Sequence, residues 1–124
     1  MSKAKASHPL RVKRVYEPAE EADGFRVLVD RLWPRGIAKE KARIDLWLKD
    51  IAPSDDLRRR FHGQPSKWRE FVAAYDRELQ EAPARAAIET LREQAAEGPV
   101  TLLYAARDEE HNNAVALKAW LEKG

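Results

Sequence analysis

The sequence predicts a small α/β fold with a mainly parallel sheet of three or four strands that is flanked by helices. Two short runs, residues 25–32 and 100–106, are densely apolar, which is typical of strands buried on both faces. The long segment between them, and the segment after the second run, carry apolar residues at helical spacing. Strands that are linked by helices favour a layered domain with a parallel sheet.

The sequence predicts three strands. Residues 10–16, LRVKRVY, alternate in a way that suits a strand with one polar side. Residues 25–32, FRVLVDRL, end before Pro34, which cannot donate a ladder hydrogen bond, and Gly36, which permits a turn. Residues 100–106, VTLLYAA, form the third strand.

Apolar spacing, capping residues and helix breakers predict five helices. Ser54 and Ser66 are candidate N-caps, because a serine oxygen can accept a hydrogen bond from a backbone N–H of the first turn. Pro83 suits a first turn, and Gly98 ends the helix that follows it. The predicted helices cover residues 44–52, 54–61, 66–80, 84–96 and 109–122.

The length of 124 residues fits one domain, residues 10–124, after a flexible tail, residues 1–9. The 23 Lys and Arg residues nearly balance the 21 Asp and Glu residues, which argues against a dedicated nucleic-acid-binding protein. The chain has no cysteine, which excludes disulfides and thiol nucleophiles. No signal peptide is recognisable, and no apolar run approaches the ~18 residues that span a membrane. We therefore expect a cytoplasmic protein without a membrane partner, as a monomer or a homodimer.

Polar side chains gather where two of the predicted strands end. In open α/β sheets, ligands bind in the crevice beyond the carboxyl ends of the strands. If the strands at 25–32 and 100–106 are parallel neighbours, their ends lie at one edge, and both groups of side chains face one pocket. The first group is Asp30, Arg31, Trp33 and Arg35, and the second is Tyr104, Arg107, Asp108, Glu109, Glu110, His111, Asn112 and Asn113.

These residue types suit the binding of a small anionic or nucleotide-like ligand. Arginine guanidinium groups bind phosphate or carboxylate through paired hydrogen bonds, and aromatic rings can form walls or stack on a base. Carboxylates in the same segment would compete with an anion for the helix N-terminus. The candidate ligand-binding residues are Asp30, Arg31, Trp33, Arg35, Tyr104, Arg107 and Asn112.

Asp108 and His111 are the candidate catalytic residues, since an imidazole can carry a proton while a carboxylate orients it. The same two side chains, with Asp30 and Glu110, could instead hold a divalent cation, although their spacing is not specific to metal sites. No cofactor is assigned. A purely structural role is a third alternative, in which Asp108 caps a helix and the arginines form internal ion pairs.

A second basic segment, residues 58–69, suggests a different function. Its cations accompany Phe61 and Trp68, and basic residues mixed with aromatic rings can bind nucleic acid. A non-enzymatic regulatory or nucleic-acid-binding module is therefore the alternative to a pocket for a small ligand, although such charges also occur on ordinary solvated helix faces. The cations are Arg58, Arg59, Arg60, His62, Lys67 and Arg69.

Five stretches together resemble the YeaO-like branch of the domain-of-unknown-function 488 (DUF488) family: VLVDRLWPRG, DLWLKDIAPS, LRRRFHG, W.EF...Y..EL (Trp68 to Leu79) and VTLLYAARDEEHNNA. The resemblance extends over nearly the whole chain. It implies a small cytoplasmic bacterial or archaeal α/β protein with a Rossmann-like, three-layer arrangement and a shared polar centre at the two strand ends. The matching positions are Asp30, Arg31, Trp33, Pro34, Arg35, Gly36, Tyr104, Arg107, Asp108, His111 and Asn112.

The resemblance also limits what can be inferred about chemistry. Wider relatives carry a Cys–His pair near residues 111–113, whereas this chain has no cysteine. A thiol-based mechanism therefore does not carry over to this sequence.

Overall fold

Four parallel strands form one sheet in the computed structural model, which describes residues 9–123. The predicted tail, residues 1–9, lies outside the described residues except for Pro9. Within them the spatial order is β1-β4-β2-β3, and every neighbouring pair is parallel. The strands are β1 (Leu10–Arg14), β2 (Phe25–Leu28), β3 (Leu46–Trp47) and β4 (Val100–Tyr104).

Four of the five predicted helices are present and the α/β class is confirmed, whereas the short helix over Lys39–Ala42 was not predicted. Short 3-10 turns occupy Glu21–Asp23, Lys49–Ile51 and Pro65–Lys67. The helices are α1 (Lys39–Ala42), α2 (Asp55–Phe61), α3 (Trp68–Leu79), α4 (Ala82–Glu97) and α5 (Asn113–Lys123). None of the helices in the described part of the chain is long and apolar enough to cross a membrane.

The main core lies between one face of the sheet and helices α2 to α5. Alternate strand residues such as Val27 and Leu102 are fully buried there against apolar side chains from all four helices. Tyr75 of α3 is buried with them, and its hydroxyl donates to the Ile51 carbonyl oxygen at 2.6 Å. The helices are thereby held on this face by the apolar stripes that the sequence pattern indicates.

The opposite face is covered by α1 and by the segments that precede and follow β2. A smaller apolar cluster on this face contains Val15, Leu28 and Leu103. Beside it lies a buried ion pair between Asp23 and Arg26, which are 1% and 4% exposed. A buried charge is tolerated only when it is paired and hydrogen-bonded.

Asp23 and Arg26 satisfy each other and several backbone groups. Lys13 of β1 donates to both carboxylate oxygens of Asp23 at 3.1 Å. The Arg26 guanidinium also donates to the carbonyl oxygens of Ala42 and Arg43, each at 2.9 Å. Burial alone would raise the pKa of Asp23, but the Glu20 N–H and these two cations hold the pKa of that carboxyl below its ordinary value.

The predicted helix over residues 44–52 is wrong. The chain instead forms β3 and then a single 3-10 turn. The Leu48 N–H donates to the Leu28 carbonyl oxygen at 3.0 Å, and the Asp45 N–H donates to that of Arg26 at 2.8 Å. The exposed edge of β2 offers unpaired backbone groups, and satisfying them outweighs the local helical spacing of this segment.

One of the two predicted serine N-caps is confirmed and the other is wrong. Ser54 caps α2 as predicted, since its Oγ accepts from the Leu57 N–H at 3.1 Å while donating to Glu78 at 2.6 Å. Ser66 does not cap α3, because it lies within the 3-10 turn that precedes the helix at Trp68. The three predicted strands also end two to four residues earlier than expected.

We predict unequal effects of alanine at two glycines with positive φ, Gly24 at +66° and Gly36 at +74°. A methyl group at Gly24 would overlap the Pro99 carbonyl oxygen, whereas the one at Gly36 meets nothing within 4 Å. Gly36→Ala should cost about 1 to 2 kcal/mol from its backbone conformation, and Gly24→Ala a further ~1 to 3 kcal/mol from the overlap. Urea unfolding measures both, and equal losses would contradict the contact with Pro99.

Candidate functional site

The two polar groups predicted from the sequence lie at one edge of the sheet, because β2 and β4 are parallel neighbours. Backbone pairing continues past β2, where the Val29 N–H donates to the Leu103 carbonyl oxygen at 3.1 Å. Beyond it, the Asp30 carboxylate accepts from the Ala105 N–H at 2.9 Å. The carboxyl ends of the two strands are thereby joined at Asp30.

Asp30 links three elements of the fold. Its second carboxylate oxygen accepts from Asn113 Nδ2 at 3.0 Å, and the same nitrogen contacts the Val29 carbonyl oxygen. Burial raises the pKa of Asp30, although the hydrogen bonds from Asn113 and Ala105 oppose the shift. Asp30 therefore fastens β2 to β4 and to the first residue of α5.

Asp108 and His111 form a pair on the loop before α5. Asp108 Oδ1 accepts from the N–H groups of Glu110 and His111, each at 2.9 Å, and Oδ2 lies 3.0 Å from His111 Nδ1. The backbone N–H of Glu110, followed by that of His111 and its ring, lowers the pKa of Asp108. The two side chains are 43% and 35% exposed, so this pair is open to a ligand from solvent.

Asn112, rather than Asp108, caps α5. Its Oδ1 accepts from the Val115 N–H at 2.9 Å, and its Nδ2 donates to the Asp108 carbonyl oxygen at 2.9 Å. The helix accordingly begins at Asn113 and not at residue 109 as predicted, because Asp108 uses its carboxylate within the preceding turn. Asn112 is 5% exposed, so little of its side chain faces solvent.

Arg31 is held at this edge by neutral oxygens. Its Nη2 donates to the Ala52 carbonyl oxygen at 3.1 Å and its Nε to that of Pro53 at 3.3 Å. Arg14, which was not among the predicted site residues, is held in the same way by the carbonyl oxygens of Ala105 and Ala106. Both side chains are half-buried, and across residues 9–123 neither forms an ion pair.

Trp33 and Tyr104 are integrated into the core. Trp33 packs edge-on against Trp47, with ring centroids 5.5 Å apart, and its Nε1 donates to the Ile37 carbonyl oxygen at 2.8 Å. Tyr104 is 2% exposed, and burial raises the pKa of its hydroxyl. Their role as walls of a pocket stays a prediction.

Arg35 and Arg107 lie on the surface of the protein. Both are exposed, and within residues 9–123 neither side chain forms a hydrogen bond or an ion pair. The Arg35 carbonyl oxygen accepts from the Tyr16 hydroxyl at 2.8 Å. Their guanidinium groups are free to reorient toward a ligand. Their predicted role in anion binding is not tested by these contacts.

The fold also brings the basic segment 58–69 to this edge, which the sequence did not indicate. The Trp68 ring packs edge-on against His111, with centroids 5.2 Å apart. Arg58 forms an ion pair with Asp55 at 2.9 Å and lies close enough to Asp30 to favour its charged form. No local pattern connects residues this far apart in the chain, so only the packing of α2 and α3 reveals the contact.

The His, Asp and Glu side chains of the described residues are not arranged to hold a metal ion. Among residues 9–123, no three His, Asp or Glu side chains lie close enough together to hold one. The alternative of a divalent cation at Asp108 and His111 therefore has no further ligand in this part of the structure.

We predict that Asn112→Ala lowers the free energy of unfolding by about 1 to 2 kcal/mol, because it removes the cap of α5. Thr90→Ala is the control: its hydroxyl contacts only the Ala86 carbonyl oxygen within α4. We expect the control to change stability by no more than about 0.5 kcal/mol. Urea unfolding of both variants compares the losses, and a similar small loss in both would contradict the capping role.

We predict that Asp30 makes stability fall as pH rises. Burial raises the pKa of Asp30 in the folded protein above its unfolded value, so the folded state binds the proton more tightly. The wild type should therefore lose stability relative to Asp30→Asn as pH rises from about 4, the ordinary aspartate pKa, toward neutrality. Urea unfolding at a series of pH values measures the difference.

Asp108→Asn is the matched control with the opposite sign. Because the folded pKa of Asp108 is lowered, its contribution is present above the unfolded pKa and is lost as pH falls through the folded pKa. The wild type should therefore lose stability relative to this variant on acidification. A pH-independent difference for Asp30→Asn would contradict the prediction for Asp30.

Comparisons with known proteins agree on a family. A family model described as "Inactive DUF488-N3 subclade" matches residues 9–124. The uncharacterized protein YeaO of Escherichia coli strain K12 is 44% identical over 112 residues, which cover 90% of this chain and 96% of that protein. The uncharacterized protein Rv3073c of Mycobacterium tuberculosis strain H37Rv is 46% identical over 92 residues, which cover 74% of this chain and 78% of that one.

No solved structure matches the chain significantly. The family match covers the sheet, all five helices and both strand-end groups of the described residues. The chain therefore belongs to the DUF488 family as a YeaO-like member, and its family model is that of the inactive DUF488-N3 subclade.

Proposed function

We infer that this protein is a non-catalytic binding domain that holds a small anionic ligand at the carboxyl edge of its sheet. The observation that carries this proposal is the state of Arg31 and Arg14, two half-buried arginines whose partners are carbonyl oxygens. A carbonyl oxygen satisfies an N–H group without neutralising its positive charge. A partly desolvated guanidinium without a counter-ion attracts phosphate or carboxylate strongly.

Other groups at the carboxyl edge favour a ligand that also carries hydrogen-bond donors. The exposed carboxylates of Glu109 and Glu110 follow β4 at the same edge, and the Asp108–His111 pair lies beside them. Carboxylates would repel a bare anion but would accept hydrogen bonds from amino or hydroxyl groups. A nucleotide-like ligand combines such donors with a phosphate.

Several observations support binding without a reaction. The chain has no cysteine, so the thiol chemistry of wider relatives is absent. Asp30 is committed to Ala105 and Asn113 by both carboxylate oxygens. The description of the matching family model as inactive points the same way.

Hydrolysis of the bound ligand is the second candidate, and the Asp108–His111 pair is the observation that favours it. Asp108 orients the ring through Nδ1, which leaves His111 Nε2 to carry a proton. In the binding proposal the same nitrogen donates to the ligand.

We also expect the protein to act in the cytoplasm.

We predict that Arg31→Ala weakens binding of phosphate-bearing ligands at least about tenfold, since a hydrogen bond to a charged group contributes about 1.5 to 3 kcal/mol. Thermal unfolding with inorganic phosphate and adenosine monophosphate screens for binding, and isothermal titration calorimetry gives the affinity. Ligands that bind only the folded state raise the unfolding midpoint.

Arg92→Ala is the matched control, because Arg92 is an exposed arginine on α4. Arg31→Lys separates paired hydrogen bonding from charge, since lysine keeps only the charge. Wild-type protein that shows no midpoint shift with either probe, or equal affinities for Arg31→Ala and Arg92→Ala, would contradict the proposal. Turnover of adenosine monophosphate that His111→Ala abolishes would favour hydrolysis instead.

A further inference from the structure

A concave surface lies between the end of α2 and one face of α3. It is an open groove with a volume of about 470 Å³. None of its lining residues belongs to the predicted strand-edge site. The residues that line it are Arg60, Phe61, Lys67, Glu70, Ala73, Ala74 and Arg77, and we call it the α2–α3 cleft.

The α2–α3 cleft carries uncompensated positive charge. Arg60, Lys67 and Arg77 face one carboxylate, that of Glu70. Within residues 9–123, none of these three cations forms an ion pair. This contrasts with Arg26 and Lys13 on the sheet, which are both neutralised by Asp23. A cleft lined by unpaired charges of one sign attracts a ligand of the other sign.

The cations are spread along the cleft rather than gathered at one point. Lys67 precedes α3 and Arg77 lies near its end, so about 15 Å of helix separates them at 1.5 Å per residue. A single phosphate contacts one of them at a time. The complementary ligand is therefore an extended chain with negative charges at intervals.

The floor of the α2–α3 cleft is suited to flat rings. The Arg60 guanidinium lies over the Phe61 ring, 5.3 Å from its centroid, and the Phe61 ring packs edge-on against Phe71 at 5.9 Å. The small side chains of Ala73 and Ala74 also line the cleft. Proteins that bind single-stranded nucleic acid combine such an aromatic or guanidinium platform with cations that follow the phosphate backbone.

We propose that the α2–α3 cleft binds a short segment of single-stranded nucleic acid, with Lys67 and Arg77 on phosphates a few nucleotides apart and a base stacked on the Arg60–Phe61 pair. The near neutrality of the whole chain, +2, does not oppose this, because the charge that matters is local to the cleft. This site is independent of the anion site at Arg31. Glu70 would accept a hydrogen bond from a base amino group.

The test is fluorescence anisotropy with labelled oligothymidylate and oligouridylate at several salt concentrations. We expect affinity to fall as salt rises, with a logarithmic slope near −0.7 for each phosphate contacted. Lys67→Ala and Arg77→Ala should each reduce that slope by about 0.7 and weaken binding. Phe61→Leu, which keeps an apolar side chain at the helix end, should weaken binding without changing the slope.

Arg85→Ala and Arg92→Ala on α4 are matched controls that remove an exposed arginine elsewhere. Unfolding midpoints near that of the wild type show that each variant is folded. The proposal is overturned if neither oligonucleotide binds, if the α4 controls lose as much affinity as the cleft variants, or if inorganic polyphosphate binds while the oligonucleotides do not. An acidic peptide that binds the cleft in place of oligonucleotides would overturn it in favour of a protein partner.

The variant Arg31→Ala distinguishes the α2–α3 cleft from the proposed anion site at Arg31. It should leave oligonucleotide affinity unchanged, while Lys67→Ala should leave binding of inorganic phosphate unchanged. Loss of oligonucleotide binding in Arg31→Ala would contradict a separate site in the α2–α3 cleft.

Discussion

The buried pair of Asp23 and Arg26 is the constraint on which the geometry of the sheet depends. Asp23 lies just before β2, accepts hydrogen bonds from Lys13 of β1, and offers its carbonyl oxygen to Thr101 of β4 at 2.7 Å. Arg26 reaches the end of α1. Removing Asp23 would leave Arg26 buried without a counter-ion, and breaking a buried pair in this way typically costs about 3 to 5 kcal/mol. By fastening β1 and β2 on either side of β4, this network brings the three carboxyl ends to one edge.

The charged side chains at the two ends of the sheet have different kinds of partner. Around Asp23 each buried charge meets an opposite charge, as a structural network requires. At the carboxyl edge, the side-chain hydrogen bonds of Arg14 and Arg31 go to neutral carbonyl oxygens, and the Arg14 guanidinium also lies over the Tyr16 ring, 5.1 Å from its centroid. Stability alone does not require half-buried cations without counter-ions. This asymmetry is the physical basis for placing a ligand at the carboxyl edge.

A row of aromatic rings connects that edge with the α2–α3 cleft. Phe71 packs against both Phe61 and Trp68, at centroid distances of 5.9 and 5.5 Å, and Trp68 packs against His111. The two polar groups and the basic segment, which are distant in sequence, therefore lie on adjoining surfaces. The exposed Asp108–His111 pair lies at the carboxyl edge, next to Trp68 of this row.

The sequence by itself determined the α/β class and four of the five helix positions, because dense apolar runs and helical spacing record which faces are buried. It predicted one shared edge for Asp30 and the residues after β4 on the condition that the two strands are parallel neighbours, and the structure shows that pairing. It misplaced residues 44–52, since the pairing of β3 with β2 depends on backbone groups that no local pattern records. Only the tertiary structure decided which charges are neutralised. Asp23 and Arg14 are both charges beside a strand in the sequence, and no local pattern shows their partners. Contacts with residues elsewhere in the fold make Asp23 part of a buried ionic network and give Arg14 only carbonyl oxygens as hydrogen-bond acceptors.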